Sequence, residues 1–540
     1  MNRTMKTLLL FCLIALTCFN LAGQQAELLK NINYGSAGSY ISYMTKCGAK
    51  VLFKATNSGS SNSELWVTDG TADGTFLLKE INPSTTTGSD IGQMTIFNNE
   101  AYFSANDGTH GSELWKSDGT AGGTVMVKDI APGSQGSQPG YPVVWNNSLY
   151  FRAFHPDFGT ELWRTDGTAE STQLVADIIP GVVSTYPGYL YPTSCGIYFN
   201  GLNNLYLYFS DGTPSGSFLL SDKIKVGQLD NAFFTEYKNE VYFRAVDATS
   251  GTGSQLWKTS GNTVTRVTGI VSGTTQFDPV HLTLAGGKLF MIGEQEPYGR
   301  ELWVLDDTGV QMVKDINPAG HAGLAGAFFT QFNGKLVFSA NIPASGQEVW
   351  VSDGTANGTK IIRDLNPGAA SSFAISPVII GDTLYYSADD GTGGELWRLI
   401  SPDGQPEKFT DIPNGGAWGP EICRIGKTFV FSASDAVNGT ELWKITLSGS
   451  TDVNGSISTD FPVRVYPNPV QKCINIDITD RIILPAEMMV FDNTGRCLMK
   501  KRLSEARTRI DTEISSLKPG VYILTLENGF RRYVQRIIII

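Results

Sequence analysis

Short apolar runs, broken by Gly, Asn and Asp, recur along this chain in groups of four. One group spans Met94 to Phe97, Ala101 to Ala105, Glu113 to Ser117 and Thr124 to Ile130. The pair Asn98-Asn99 ends the first run, and Asp107-Gly108, a strong hairpin signal, ends the second. The second run returns as VLFKA, LYFRA, VYFRA, LVFSA, LYYSA and FVFSA. These are the β-branched and aromatic residues that strands favour, and no 3.6-residue periodicity competes with them.

The third run carries a signature, E-L-W-x-x-D-G-T. Its aromatic stands at Trp66, Trp115, Trp163, Tyr208, Trp257, Trp303, Trp350, Trp397 and Trp443, with Tyr208 in the degenerate copy YLYFSDGT. Successive positions are 49, 48, 45, 49, 46, 47, 47 and 46 residues apart. Four antiparallel strands per roughly 47 residues is the arrangement of one propeller blade, so the pattern predicts an all-β array of about nine blades. A β-solenoid rung would need a shorter period.

The two ends of the array complement each other. Ala26 to Asn33 (AELLKNIN) reads as a fourth strand with no ELW before it. The ninth unit has three runs, Glu421 to Ile425, Lys427 to Ala433 and Thr440 to Thr446, and no fourth. The N-terminal strand is therefore expected to complete the last blade and close the ring, which removes the open sheet edges. The alternative is two smaller bodies broken at the degenerate Tyr208 unit.

Each repeated residue has a structural role to fill. The Trp is expected to pack against the next blade, an apolar burial worth roughly 4–6 kcal/mol gross. Asp-Gly-Thr reads as a turn, with Asp accepting from the backbone two residues on and Gly supplying positive φ. The pairs Lys128-Asp129 and Lys314-Asp315 are expected to blunt an outer edge. The turn carboxylates Asp69, Asp118, Asp166, Asp211 and Asp353 lack the alternating oxygen donors of a calcium loop, so turn chemistry outweighs Ca²⁺. Asp389-Asp390 and Asp435 read as solvated hairpin tips. No cofactor is implied.

Charge divides the chain. Residues 461–540 hold 13 Lys and Arg against 8 Asp and Glu, a balance of +5, within a total of -11. Residues 24–460 carry 26 basic and 44 acidic groups, and so acidic a body argues against nucleic acid. Residues 1–23 follow a secretory pattern: Arg3 and Lys6, then the apolar Leu8 to Phe19, then Ala22-Gly23. No later stretch is long and apolar enough for a transmembrane span. The predicted organisation is a signal peptide at 1–23, the propeller at 26–447, a linker at 448–460 and a C-terminal domain at 461–540.

Of seven cysteines, two, Cys12 and Cys18, lie in the secretory stretch; the other five, Cys47, Cys195, Cys423, Cys473 and Cys497, are odd in number and show no CxxC spacing, which argues against zinc and against a disulfide framework. Cys47 and Cys195 occupy the same place in units one and four and are too far apart in a ring to pair. Cys473 and Cys497 are expected as two buried thiols. Four His exist, His110, His155, His281 and His321, in slots that do not converge. No GxSxG or HExxH is present. The pattern thus favours a non-enzymatic binding or adhesion module, with a propeller-fold polysaccharide hydrolase or lyase as the alternative. The variable connections should share one face of the ring. They include Pro180 to Pro192, with Tyr186, Tyr189 and Tyr191, and Pro413 to Pro420, with Trp418, and would suit a surface glycan or protein.

With the ELW-x-x-DGT units in view, residues 27–447 resemble the bacterial ELWxxDGT-repeat proteins, a likeness implying a secreted, surface-associated protein of the Bacteroidetes kind. Residues 461–540 resemble the C-terminal sorting domain of the type IX secretion system. The motif residues are Tyr466, Pro467, Asn468 and Pro469, then Gly495 in VFDNTG, and Gly520 and Tyr522 in LKPGVYIL. That resemblance implies a small β-sandwich, the type IX secretion machinery as partner, passage through the periplasm, and an extracellular or outer-membrane-attached destination.

Overall fold

The structure is a computed structural model. It describes residues 24–447, apart from 58–61, 85, 203–204, 227–232, 250–252, 273–274, 319, 325–327, 418 and 420. Beyond these it describes 463–539, apart from 467–473, 479–485, 493–496, 504–506, 511–516, 518–519 and 528–531. The secretory pattern at 1–23 and the linker at 448–460 lie outside the described residues. Two compact units result, Met1–Leu447 and Ser448–Ile540.

The first unit is a β-propeller. Its sheets, numbered here as blades by their ELW copy, run in the order first, second, third and fourth strand. Blade 1 is Ser42–Cys47, Lys50–Thr56, Ser63–Thr68 and Phe76–Lys79. Blade 9 takes Ile422–Ile425, Thr428–Asp435 and Gly439–Thr446 from the end of the array and Glu27–Lys30 from its beginning. In that join Glu27 lies opposite Lys444, Leu28 opposite Trp443 and Lys30 opposite Leu442. Gly38 then crosses so close to the blade 9 hairpin that a Cβ there would come within 2.7 Å of the Thr440 amide.

Apolar clusters fill every space between neighbouring blades, from blades 1 and 2 round to blades 8 and 9. A last cluster joins blade 9 back to blade 1 through Leu29, Ile32, Val51, Phe53, Trp66 and Leu442. The nine interfaces make one closed ring, not two bodies. First strands of neighbouring blades lie side by side nearly all the way round, so they line the axis. The degenerate fourth copy is an ordinary blade, Gly188–Pro192, Ile197–Gly201, Tyr206–Ser210 and Ser217–Ser221.

Two expectations about the repeat need correcting. Each Trp is almost fully buried, but it packs toward the preceding blade: Trp115 joins the cluster with Leu52 and Leu65 of blade 1, and Trp350 that with Phe290 and Leu302 of blade 6. The fourth-strand lysines do more than guard an edge. Lys79 donates to Thr124 O at 2.6 Å, Lys128 to Thr172 O at 2.7 Å and Lys314 to Thr359 O at 2.9 Å. Each spans to the turn of the following blade, and Lys30 does the same across the closure, to Ala72 O at 3.2 Å.

The Asp-Gly-Thr turns have the expected chemistry. Asp118 Oδ1 accepts from Thr120 N at 2.8 Å and Thr120 Oγ1 at 2.7 Å, and Gly119 has φ +82°. The same pair of bonds recurs at Asp69, Asp166, Asp211 and Asp353.

The second unit consists of two antiparallel sheets. Val463–Tyr466, Ile474–Ile478 and Arg507–Ile510 form one. Cys497–Leu503, Ala486–Phe491, Gly520–Glu527 and Arg532–Ile539 form the other. Tyr522 stands opposite Ile537 and Gly520 opposite Ile539, and both isoleucines are buried, so the apolar chain end is a core strand. Tyr466 ends the first strand; Pro467, Asn468, Pro469 and Gly495 lie outside the described residues. Cys497 is exposed and free rather than buried, and Cys473 lies outside the described residues. Cys47, Cys195 and Cys423 are free as well.

Candidate binding site at the ring axis

The Glu of each ELW holds the connection that leads into the next blade. Glu64, Glu113, Glu161, Glu301, Glu348, Glu395 and Glu441 are at most 5 % exposed. Glu113 accepts from Ile130 N, Ala131 N and Ser137 N at 3.2, 3.1 and 2.9 Å, and from Ser137 Oγ at 2.5 Å. Glu348 accepts likewise from Leu365 N, Asn366 N and Ser372 N. Burial pushes all seven carboxyls up, Glu161 and Glu301 to about 7, while the amide donors oppose the shift. The sequence signal for this role was the Glu itself, an acidic residue kept beside Leu-Trp in a buried strand.

Anchored in this way, the connections deliver the first strands to the axis with a repeated irregularity. The register of the first strand shifts between Ser42 and Thr45, Gly140 and Val143, Gly188 and Tyr191, Val280 and Thr283, and Ile375 and Val378. Within each bulge one residue is left-handed: Tyr43 (φ 58°), Tyr141 (54°), Tyr189 (49°), His281 (56°) and Ser376 (54°). Such a conformation costs a bulky residue on the order of 1–3 kcal/mol, and a bulge re-aims its side chain. Here it leaves Tyr43 exposed beside buried Met44, and Tyr189 half-buried beside buried Leu190. A second left-handed site just before it holds Tyr40, Tyr186 and Phe373, which are 54, 44 and 55 % exposed. The first strands and their entries therefore present exposed aromatics at the axis.

The best-formed part of this surface lies at blades 2 to 4. Tyr141 and Tyr189, on adjacent first strands, have ring centroids 5.3 Å apart. The Arg152 guanidinium sits 4.9 Å over the Tyr141 ring. Beside them a cavity of about 250 Å³ is lined by Gln93, Ser104, Pro139, Gly140, Tyr141 and Arg152, among others. One blade on, Asn200 takes the place of Arg152, opposite Gly188 as Arg152 is opposite Gly140. Asn200 is fully buried, and neither its amide oxygen nor its nitrogen has a hydrogen-bond partner.

Of the residues singled out from sequence, Tyr186 and Tyr189 belong to this surface. Tyr191 does not: its hydroxyl accepts from Glu236 N at 2.9 Å and its ring lies 6.0 Å from Phe234 between blades 4 and 5. Trp418 lies outside the described residues. The histidines stay apart. His110 bonds Asp107 at 2.7 Å, His155 stacks on Phe158, His281 lies 5.0 Å from Phe233, and His321 Nδ1 accepts from Arg300 N at 2.9 Å. Burial lowers the pKa of His281. Asp390 and Asp435 cap their own hairpins through Thr392 N and Val437 N. Among the described residues no three His, Cys, Asp or Glu side chains are grouped to hold a metal. The aromatics of Tyr40, Tyr43, Tyr141 and Phe373 were not singled out from sequence. For Tyr43 and Tyr141 the signal was the lost alternation in SYM and GYP.

Residues 464–540 match the family model described as a secretion system C-terminal sorting domain. This tail marks the chain for export across the outer membrane to the cell surface or extracellular space and implies contact with the type IX machinery. Among the described residues no helix is long and apolar enough to cross a membrane. No curated protein matches the chain. Among solved structures it is similar to puromycin hydrolase (13% identity, TM-score 0.33, covering 64% of this chain and 59% of that one). It is similar too to prolyl endopeptidases (12%, 0.39, 75% and 55%) and to the β-propeller domain of the Trilobed protease from Pyrococcus furiosus (10%, 0.34, 77% and 99%). PorZ of Porphyromonas gingivalis, described as an essential surface component of the type IX secretion system, aligns at 12% identity and TM-score 0.20, over 93% of this chain and 86% of that one. The chain spans less than two thirds of the length of the puromycin hydrolase and prolyl endopeptidase chains. The expectation that the chain is non-enzymatic is corrected by these neighbours, a hydrolase and endopeptidases, which point to a possible enzyme. At such TM-scores the likeness transfers no reaction or substrate to this chain.

Proposed function

We propose that this chain is an exported bacterial surface protein of the ELWxxDGT-repeat type whose ring binds carbohydrate at its axis. The observation that carries the reading is the set of exposed aromatics, Tyr40, Tyr43, Tyr141, Tyr186 and Phe373, which bulged or left-handed backbone holds out from the first strands and their entries. Sugar rings bury their C–H faces on such side chains, which lose little entropy on binding. Export to the cell surface places the site where glycans are met. A repeat scaffold held by apolar interfaces keeps the aromatics rigid while their identity varies from blade to blade.

The test is a glycan array probed with the secreted full-length protein, followed by calorimetry on the best ligand. Tyr141→Ala with Tyr189→Ala should weaken binding by tenfold or more with the thermal transition intact. Product release from the bound glycan, followed in the same samples, tells whether binding leads to cleavage. Undiminished affinity in the double variant would refute the axial site.

A further inference from the structure

We infer that the axial site at blades 2 to 4 selects an acidic sugar, with Arg152 taking its carboxylate; this rests on the carbohydrate reading above. Arg152 lies in the second strand of blade 3, opposite Gly140, whose missing side chain leaves the guanidinium open to the cavity. A Cβ on Gly140 would stand 3.2 Å from the Arg152 Nη2. Arg152 is half-buried and lines the 250 Å³ space together with Gln93 and Ser104.

Its charge is unanswered. The arginine at the same position in blade 5, Arg244, pairs with Asp278, which also holds Arg300. Among the described residues the Arg152 side chain has neither an ion pair nor a hydrogen bond, and its guanidinium lies over the Tyr141 ring. A half-buried guanidinium in so acidic a chain would ordinarily find a carboxylate, because an unpaired partly desolvated charge is costly. Its planar fork matches a carboxylate bidentately, and stacking on Tyr141 keeps the fork pre-organised. Tyr141, with the Tyr189 ring 5.3 Å from it, then supplies the wall for the sugar ring, and exposed Gln93 and half-buried Ser104 supply amide and hydroxyl partners for its hydroxyls. About 250 Å³ fits one sugar residue, so one acidic unit of a longer chain would occupy the cavity.

The experiment compares tetragalacturonic acid with its fully methyl-esterified form, titrated calorimetrically into the full-length protein at low salt. The acid should bind about tenfold tighter, an advantage that a charge-assisted bidentate pair accounts for. Raising the salt should erode the acid's advantage and leave the ester unchanged. Arg152→Gln should bring the acid down to the ester's affinity, and Arg152→Lys should restore only part of the difference. Equal binding of acid and ester by the unaltered protein, or a preference that survives Arg152→Gln, would overturn the assignment while leaving the aromatic site standing. Binding of neither, with only neutral glycans bound on the array, also overturns it. If no glycan binds at all, the carbohydrate reading falls with it. The acid–ester comparison needs no variant, so a poorly folding Arg152→Gln protein does not spoil the test.

Discussion

The amide of Ile32 donates to Glu441 Oε2 at 2.8 Å, though the two residues are 409 positions apart. Ile81 makes the same bond to Glu64 and Ile130 the same bond to Glu113, each within a single blade-to-blade connection. The closure of the ring is thus one more copy of the repeat junction. What differs is entropic, since this copy draws together the ends of the whole array.

Loosening that junction should open the ring. Leu29 is 4 % exposed and packs with Val51 and Phe53 of blade 1. Leu29→Ala should cost about 2–4 kcal/mol in urea unfolding and speed proteolysis near both array ends. Glu27→Ala, whose side chain is 71 % exposed, should stay within about 0.5 kcal/mol. Equal effects from the two would show that the N-terminal strand does not close the ring.

Glu161 predicts a pH dependence of definite sign. Its folded pKa, raised to about 7 by burial, lies above the ordinary carboxyl value of 4.5. The native state then holds a proton that the unfolded state has released, so its contribution falls as pH rises from about 4.5 to 7 and is flat above. Glu161→Gln should match the unaltered protein near pH 4.5 and be more stable above pH 7, by on the order of 2 kcal/mol. Blade 5 already uses this solution: Gln255 donates to Ile270 O at 2.8 Å and accepts from Thr268 Oγ1 at 2.8 Å. Thermal melts of both proteins from pH 4 to 8 check it, and a difference that grows toward acid would contradict it.

Asn200 should be dispensable to the fold. A fully buried amide with no partner costs about 1–3 kcal/mol relative to a satisfied one. Asn200→Leu, which keeps the branched heavy-atom skeleton while removing the unpaired polar atoms, should leave stability unchanged or raise it by about 1 kcal/mol in chemical unfolding. A loss well beyond 1 kcal/mol would reveal a bonded water at that position.

Export should depend on the tail and not on the ring. A chain ending before residue 464 should accumulate in the periplasm, with its propeller as stable as in the full-length protein, as cell fractionation and thermal melting would show. Secretion of the truncated chain at normal levels would contradict the role of the sorting domain.

Much of this architecture was legible in the sequence because a blade is a local object. Hairpins such as those at Asn98-Asn99 and Asp107-Gly108 pair strands only a few residues apart, and Trp115 or Asp118 reports its own turn or strand. The orphan strand before Asn33 was legible for the same reason, as a unit with its partner missing. The side toward which Trp115 packs was not, because either face of an isolated blade could accept it. Nor was the interblade reach of Lys128, since Thr172 comes near only when the next blade docks.

The repeat period and the two incomplete ends were enough to predict four-stranded blades with the N-terminal strand completing the last one, since a sheet must bury its faces and the orphan strand needs a partner. That the nine blades form one ring and not two bodies was decided by the interfaces of the folded chain. The axial surface could be decided only by the assembled ring. Tyr141 and Arg152 share one hairpin, but Tyr189 belongs to the next blade, and closure sets the spacing between their first strands. The bulges turn Tyr141 and Tyr189 out against the alternation that the residue pattern alone would suggest.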